Sequence, residues 1–293
     1  MTRLAITGAT GNLGRLVIAH LLEGGTAPSD IVAIVRDVDK AAPLATSGVQ
    51  VRVADYTDPS ALVTALTGVD RLLLISSSEV GQRALHHGNV ISAALEAEVP
   101  YVAYTSVLRA DESDLQLAGE HRTTEELLRA SGIAFTLLRN GWYIENYEGT
   151  LGAALEHGAL FGAGGDTKFA PATRDDFAAA AAAVLVGADH EGATYELGGD
   201  ERVSLAELAE IIADVSGTEV VYTDLPEAEY AQVLEGAGLP AAFASILADS
   251  DAGLAKGHLD TTSGDLSRLI GRPTQSIRTA LIAPIAQLEL ELA

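Results

Sequence analysis

Residues 6–14 read ITGATGNLG and place three glycines, Gly8, Gly11 and Gly14, at intervals of three residues. They follow a short apolar run and precede a stretch with leucine and valine on one helical face. A strand that turns sharply into a helix needs a residue without Cβ restraint, exposed backbone where a phosphate approaches, and a small side chain where helix meets strand. The free N–H groups at the start of such a helix bind anions. The motif therefore predicts a dinucleotide site with the pyrophosphate on the first strand–helix turn.

Short β-branched runs alternate with helical stretches through the first half of the chain. The predicted strands are residues 4–7, 31–35, 49–53, 71–75, 101–104 and 134–138, and the predicted helices are 12–23, 38–46, 59–66, 80–96 and 119–130. Successive strand–helix units with right-handed crossovers form a parallel sheet. We therefore predict an α/β fold with a Rossmann-like, doubly wound parallel sheet.

The rhythm changes after about residue 150. Helices are predicted over 178–184 and 204–215 and from Glu227, Pro240 and Pro273, with strands over 194–197 and 220–222. We predict an NAD(P)-binding domain over residues 1–150 and a smaller α/β lobe over residues 151–293, partly interleaved with the first. Ligands of such folds bind at the carboxyl edge of the sheet, so this lobe is expected to cover the substrate there.

Composition excludes several classes of partner. The net charge of −23 repels phosphate backbones, which argues against nucleic acid and anionic membranes. There are no cysteines, and the seven histidines lack ligand spacing, so no metal site is expected; His86 and His87 are read as surface residues. No apolar run could span a bilayer and the chain enters a strand directly, which predicts a cytoplasmic protein without membrane insertion. A homo-oligomer stays open.

Arg36 ends the second predicted strand, about twenty residues past the glycines. Arginine at this place forks onto a 2′-phosphate, which predicts NADPH, whereas a carboxylate there binds the ribose hydroxyls of NADH. Asp37 follows at once and leaves NADH open, as does the alternative of an ordinary surface Arg–Asp pair.

Polar residues after the next strands are further candidates for cofactor contact. Asp55 is placed to accept from the adenine amino group, although a solvated loop aspartate is the alternative. Small side chains follow the fourth strand where the chain passes the cofactor, unless they only begin a turn; they are Ser76, Ser77 and Ser78. Thr105, after the fifth strand, completes this group of predicted cofactor residues.

The catalytic pair of ordinary short-chain reductases is missing. Those enzymes use a tyrosine and a lysine four residues later, but residues 118–125 read AGEHRTTE. His121 and Glu125 have that spacing and Ser106 has the position of the usual serine. No catalytic residue follows from a motif; His121 is a candidate proton donor, or else a water-exposed helix residue. A quinone suits such a site, because its reduced form takes protons from water, whereas a ketone needs a protein acid.

The resemblance that these residues carry is to the NmrA-like atypical short-chain dehydrogenase/reductases. It rests on ITGATGNLG, IVAIVRD, VRVADY, LLLISSSEVGQR, YVAYTS, TLLRNGWYIENY and ATRDDFAAAAA, and it extends over nearly the whole chain. The chain looks most like the bacterial NAD(P)H:quinone oxidoreductases of that group. The resemblance implies pyrophosphate binding by Gly8, Ala9, Thr10, Gly11, Asn12 and Leu13, and nicotinamide binding by Asn140, Gly141, Trp142, Tyr143, Ile144 and Glu145.

Aromatic residues after the sixth strand suit a flat substrate. Trp142, Tyr143 and Tyr147 offer stacking surface and Asn146 a hydrogen bond to a quinone oxygen, unless these aromatics only pin the lobes together. The predicted function is NADPH-dependent quinone reduction by direct hydride transfer, without metal or flavin. The alternatives are an NADP(H)-binding redox sensor that acts through a protein partner, and a reductase of another electrophilic substrate.

Overall fold

The computed structural model describes residues 2–292 and divides the chain into two compact units. The first contains the chain up to Ala110 together with Gly119–Asn140 and Arg174–Tyr195. The second contains Asp111–Ala118, Gly141–Thr173 and the chain from Glu196 onward. The units thus place residues 141–150 in the second and 174–195 in the first, whereas the sequence prediction divides the chain at residue 150.

A seven-stranded sheet has the order β3-β2-β1-β4-β5-β6-β8. Its strands are β1 (Leu4–Ile6), β2 (Ile31–Val35), β3 (Gln50–Val53), β4 (Arg71–Leu74), β5 (Tyr101–Val107), β6 (Ala134–Asn140) and β8 (Thr194–Leu197). The pairs from β3 through to β6 are all parallel. The strand order reverses between β1 and β4, which opens a crevice at the carboxyl ends of these strands. The predicted doubly wound parallel sheet is confirmed.

Helices cover the sheet of the first unit. They are α1 (Asn12–Glu23), α2 (Ala42–Thr46), α3 (Pro59–Leu66), α4 (Arg83–Glu96), α5 (Gln116–Ser131) and α7 (Arg174–Val186). α1 buries Leu13, Val17, Ile18 and Leu21 at helical spacing and packs against α7. Residues 174–195 belong to the first unit because α7 supplies this cover.

Two predicted helices begin later than expected. Residues 38–46 form a 3-10 turn, Asp39–Ala41, followed by the short α2. The helix predicted from Val80 begins only at Arg83, because Gly81 has a left-handed φ of 84° and keeps the preceding residues in a loop. The loop between β4 and α4 is therefore longer than the sequence pattern indicated.

The second unit has its own small sheet, in which β7 (Ala159–Gly162) pairs in parallel with β9 (Val221–Asp224). Its helices are α6 (Glu148–His157), α8 (Leu205–Ser216), α9 (Glu227–Gly236), α10 (Ala241–Ala255), α11 (Asp265–Ile270) and α12 (Ile277–Leu292). α8 begins with a capping box, since Ser204 accepts from the Glu207 N–H and Glu207 accepts from the Ser204 N–H. β7, α6 and α11 were not predicted from the sequence. The last helix begins at Ile277, four residues after the predicted start at Pro273.

Candidate cofactor site

A cleft of about 400 Å³ lies at the carboxyl ends of β1 to β4 in the first unit. This volume falls in the range of small-molecule sites, about 300–1,000 Å³. The predicted cofactor residues that line it are Gly8, Thr10, Gly11, Asn12, Leu13, Arg36, Asp55, Ser76, Ser77 and Ser78. The structure thus gathers residues from four separate strand ends into one cleft at the reversal of strand order.

The glycine turn forms the floor of one end of the cleft. Gly8 has a φ of 57°, which favours glycine, and its carbonyl accepts from the Gly11 N–H at 2.9 Å. A Cβ on Gly14 would lie 2.5 Å from the Gly8 oxygen and 2.8 Å from the Ala9 Cα. Ala9 itself is fully buried behind the turn and does not line the cleft. The tight turn therefore requires glycine at both positions.

The start of α1 suits an anion. Its N-cap is Gly11, which offers no side chain to the first N–H groups, and its first turn carries no acidic residue. These N–H groups and the positive end of the helix dipole attract a negative group. A pyrophosphate fits this cradle, and Gly8, Thr10, Gly11, Asn12 and Leu13 would hold it.

The opposite end of the cleft carries positive charge. Arg36 and Lys40 both line it, so two cations lie where a 2′-phosphate would bind. Asp37 instead accepts from the backbone N–H groups of Asp39 at 3.0 Å and Lys40 at 3.4 Å. Asp37 does not line the cleft, so it is not presented to a ribose as an NADH-selecting carboxylate would be.

Asp55 lines the cleft beside Arg36. Its Oδ1 accepts from the Thr57 backbone N–H at 2.8 Å and from the Thr57 hydroxyl at 2.6 Å. These hydrogen bonds hold the pKa of Asp55 below its usual range, so the group is ionised. Its Oδ2 lies 4.0 Å from Arg36 Nε, which leaves a charged acceptor at the adenosine end of the cleft.

The serine loop, residues 76–82, is fixed by buried partners beneath it. The Ser76 N–H donates to the Thr105 hydroxyl at 2.9 Å, and the Ser77 N–H donates to His87 Nε2 at 2.9 Å. Thr105 is buried and does not line the cleft. The structure therefore places Thr105 under the loop, where it supports Ser76.

His86 and His87 are buried, so their interpretation as surface residues is wrong. His87 is 0% exposed, and its Nδ1 lies 2.8 Å from the Thr124 hydroxyl. Burial, assisted by the nearby Arg83 charge, lowers the pKa of His87 to about 3. Because Nε2 accepts from Ser77, the neutral ring carries its proton on Nδ1 and donates it to Thr124. The ring thus fastens the serine loop to α5.

His121 is likewise buried, at 6% exposure, which excludes the alternative of a water-exposed helix residue. Its Nδ1 lies 2.7 Å from the hydroxyl of Tyr104. Burial, with the Arg83 charge second, holds its pKa well below the usual value. His121 is therefore a neutral buried imidazole near neutral pH, and it does not line the cleft.

Glu125 and Ser106 belong to a buried ion pair. Arg139 donates to both Glu125 carboxylate oxygens, at 2.9 and 2.7 Å, and Ser106 donates its hydroxyl to the same carboxylate at 2.7 Å. Such a two-pronged pair joins β6 to α5. The residues at the places of the usual catalytic serine and lysine thus hold structural elements together.

Residues 140–147 do not line the cleft described above. Asn140 ends β6 in the first unit, and Gly141 begins the next segment of the second unit; the Gly141 N–H donates to the Leu197 carbonyl at 2.8 Å. Ile144 and Trp142 exchange backbone hydrogen bonds with Ala172. Tyr143, Glu145 and Asn146 are half-buried. Tyr147 is buried against Phe169, and burial followed by the Asp251 charge raises its pKa.

Four polar residues that line the cleft are not among the predicted site residues: Lys40, Tyr56, Glu79 and His86. Lys40 follows Arg36 by four residues and is one of three lysines, so the sequence does indicate a second cation near the end of the second strand. Tyr56 donates to the Ile75 carbonyl at 2.9 Å, a contact between two loops that no local pattern encodes. Glu79 lies in the SSSEVGQR motif, but the motif alone does not predict a role for it.

Within residues 2–292, no helix has the length and hydropathy to cross a bilayer. No group of three or more His, Asp or Glu side chains in that range is arranged to hold a metal ion.

Residues 1–260 match the model of the NmrA-like family. The chain belongs to the NmrA-like family. The resemblance inferred from its motifs is thereby confirmed.

Characterised NmrA-like proteins are similar over almost their full length. Quinone oxidoreductase 2 of Escherichia coli (strain K12) is 56% identical over 275 residues, which cover 94% of this chain and 96% of that protein. The crystal structure of the E. coli NADPH-dependent quinone oxidoreductase complexed with NADPH has a TM-score of 0.92 and 54% identity, covering 98% of this chain and 99% of the other. The Citrobacter sp. triphenylmethane reductase complexed with NADP(H) has a TM-score of 0.90 and 40% identity, covering 97% and 99%.

Proposed function

We propose that this chain reduces quinones with NADPH by direct hydride transfer. The observation that carries the proposal is the cleft of the first unit, which has an anion-binding glycine turn at one end and Arg36 with Lys40 at the other. A dinucleotide with a 2′-phosphate matches both ends. The 56% identity to E. coli quinone oxidoreductase 2 supports quinones as the substrate class.

The chain's own part in the reaction is to bind, orient and support. The turn at residues 8–14 binds the pyrophosphate, Arg36 and Lys40 hold the 2′-phosphate, and the serine loop passes the cofactor backbone on its buried support. NADPH, when bound, supplies the hydride. Holding two reacting groups in place makes the transfer effectively unimolecular, so much of the rate enhancement comes from proximity.

No strong protein acid is required. Residues 118–125 contain neither tyrosine nor lysine, and His121 is a neutral imidazole engaged by Tyr104. A quinone that accepts hydride becomes a stabilised phenolate, which takes its protons from water. The proposal therefore assigns no general acid. It assigns the nicotinamide side to Asn140, Gly141, Trp142, Tyr143, Ile144 and Glu145, and the substrate contacts to Trp142, Tyr143, Asn146 and Tyr147.

Steady-state oxidation of NADPH with a panel of quinones tests the proposal, with a triphenylmethane dye as a second electrophile. We expect turnover with quinones and faster oxidation of NADPH than of NADH. Tight NADPH binding without turnover of any quinone would favour the redox sensor. Turnover of the dye alone would favour a reductase of another electrophile.

A pair of glycine variants ties turnover to the cleft. Gly14→Ala forces its Cβ against the Gly8 carbonyl, and we expect at least about tenfold weaker NADPH binding with the fold retained by circular dichroism. Gly149→Ala is the matched control, because Gly149 is an exposed helical residue with nothing within 4 Å of its added Cβ. Equal NADPH affinity in both variants contradicts the assigned pyrophosphate site.

The proposal keeps two further predictions. The chain is cytoplasmic, and it binds no nucleic acid because its net charge of −23 repels phosphate backbones. The number of protomers in the active protein stays open.

A further inference from the structure

Glu79 extends across the cofactor cleft and holds its principal cation. Arg36 Nη1 donates to Glu79 Oε1 at 2.9 Å, while Arg36 Nε lies 4.0 Å from Asp55 Oδ2. Arg36 follows β2 and Glu79 lies in the serine loop after β4, and both line the cleft. The ion pair therefore joins two walls at the end where a 2′-phosphate would bind.

The backbone around Glu79 is well supported, so its carboxylate is aimed from a fixed place. The Glu79 N–H donates to the Ser77 hydroxyl at 3.2 Å, and the Glu79 carbonyl accepts from the Gln82 N–H at 3.1 Å. Its second oxygen, Oε2, lies 3.9 Å from His86 Nε2.

The ion pair is exposed enough to exchange partners. The Arg36 and Glu79 side chains are 63% and 48% exposed, and ion pairs this exposed contribute little to stability. A phosphate monoester carries more charge than a carboxylate and accepts both prongs of a guanidinium. A 2′-phosphate can therefore displace Glu79 from Arg36, but breaking the Arg36–Glu79 ion pair reduces the net gain in binding free energy.

We propose that Glu79 is a specificity-determining residue, which competes with the cofactor's 2′-phosphate for Arg36 and so limits the preference for NADPH over NADH. The inference rests on the proposed use of NADPH. A cofactor without the 2′-phosphate leaves the Arg36–Glu79 pair intact, so Glu79 weakens NADPH binding and leaves NADH binding nearly unchanged.

The test measures dissociation constants of NADPH and NADH by calorimetry, without quinone. We expect Glu79→Gln to lower the dissociation constant of NADPH about fivefold and to change that of NADH less than twofold. The matched control is Glu126→Gln, an exposed glutamate of α5 outside the cleft, which removes the same charge from a chain of net charge −23. Equal tightening of NADPH in both variants, or equal tightening of NADPH and NADH by Glu79→Gln, overturns the proposal.

Arg36→Ala closes a double-mutant cycle. This variant should weaken NADPH binding about tenfold or more and NADH binding far less, because it removes a charge-assisted contact to the 2′-phosphate. In that background Glu79→Gln should change NADPH affinity no more than Glu126→Gln does. An undiminished effect of Glu79→Gln without Arg36 overturns competition for this arginine.

A smaller probe isolates the phosphate end. Glu79→Gln should tighten the binding of adenosine 2′-monophosphate and leave the binding of adenosine 5′-monophosphate unchanged. An equal gain in affinity for both nucleotides contradicts the inference. Wild-type protein that fails to bind NADPH defeats the proposed function. NADPH binding with an unaltered cofactor ratio in Glu79→Gln defeats only the role of Glu79.

Discussion

His87 in the first unit and Asp251 in the second are both buried titratable groups, 0% and 3% exposed. Burial lowers the pKa of His87 to about 3 and raises that of Asp251 to about 7. In each case desolvation favours the neutral form, which for a base means loss of a proton and for an acid means retention of one. The same physical effect therefore makes the contributions of His87 and Asp251 to folding stability depend on pH in opposite directions.

The two groups differ in their partners. His87 accepts from the Ser77 N–H and donates to Thr124, so both ring nitrogens are engaged. Asp251 accepts from the Ala163 N–H at 3.1 Å, beside the ring of Tyr222 and the charge of Asp224. The histidine supports the serine loop, whereas the acid lies among tyrosines whose ionisation its charge disfavours.

The direction of each pH effect follows from proton uptake. Unfolded histidine binds a proton below about pH 6.5, whereas folded His87 does not until about pH 3, so its contribution to stability is lost as the pH falls through that window. Unfolded aspartate releases its proton near pH 3.8, whereas folded Asp251 keeps it until about pH 7. Its contribution is lost as the pH rises through that range.

The largest effect is expected at His87. His87→Phe keeps a ring beside Tyr104 but leaves the buried Ser77 N–H without its acceptor and removes the hydrogen bond to the Thr124 hydroxyl, so we expect a loss of about 4 kcal/mol of unfolding free energy. Denaturant titration measures it, and NADPH affinity should fall as well because the serine loop is released. His157→Phe, at an exposed position of α6, is the control. A loss below about 1 kcal/mol would show that the loop does not depend on this ring.

A smaller effect, which develops as the pH rises from about 4 to about 7, is expected at Asp251. Asp251→Asn removes the titration, so the fall in unfolding free energy between about pH 4 and pH 8 should lessen by about 3 kcal/mol. Asp166→Asn, an exposed loop residue, provides the comparison. If Asp251→Asn retains the wild-type slope, another group causes the loss of stability over this pH range.

The smallest effect is expected at Tyr104. Tyr104→Phe removes the 2.7 Å hydrogen bond to His121 and should cost about 1 kcal/mol, since the ring packing remains. The acid dependence due to His87 should persist, because the Ser77 and Thr124 contacts are untouched. Loss of that acid dependence in Tyr104→Phe, followed by denaturation at several pH values, would show that His87 and His121 act as one group.

Local patterns revealed the parts of the cofactor site that lie within a few residues of a strand end. The glycine spacing and Arg36 led to residues that line one cleft, because a parallel sheet brings the carboxyl ends of its strands to one edge. Asp37 illustrates the limit: its type suggested a ribose contact, but its carboxylate caps the turn that follows.

Long-range pairings were beyond local patterns. β7 pairs with β9, which lies some sixty residues further along the chain, and its ALFG sequence carries no alternation of its own. The burial of His86 and His87 is equally non-local, since their partners lie in the serine loop and in α5. A histidine pair in a helix looks exposed until the element that covers it is known.

The return of the chain to the first unit at residues 174–195 has a consequence for dissection of the protein. α7 packs against α1, the helix that begins at the glycine turn, and Asp175 lies 2.8 Å from His20 on that helix. A fragment that ends near residue 150 would lack α7 and so the packing partner of α1. The cofactor cleft is therefore inseparable from a segment encoded far downstream, and gene fusions or truncations must keep both halves in one chain.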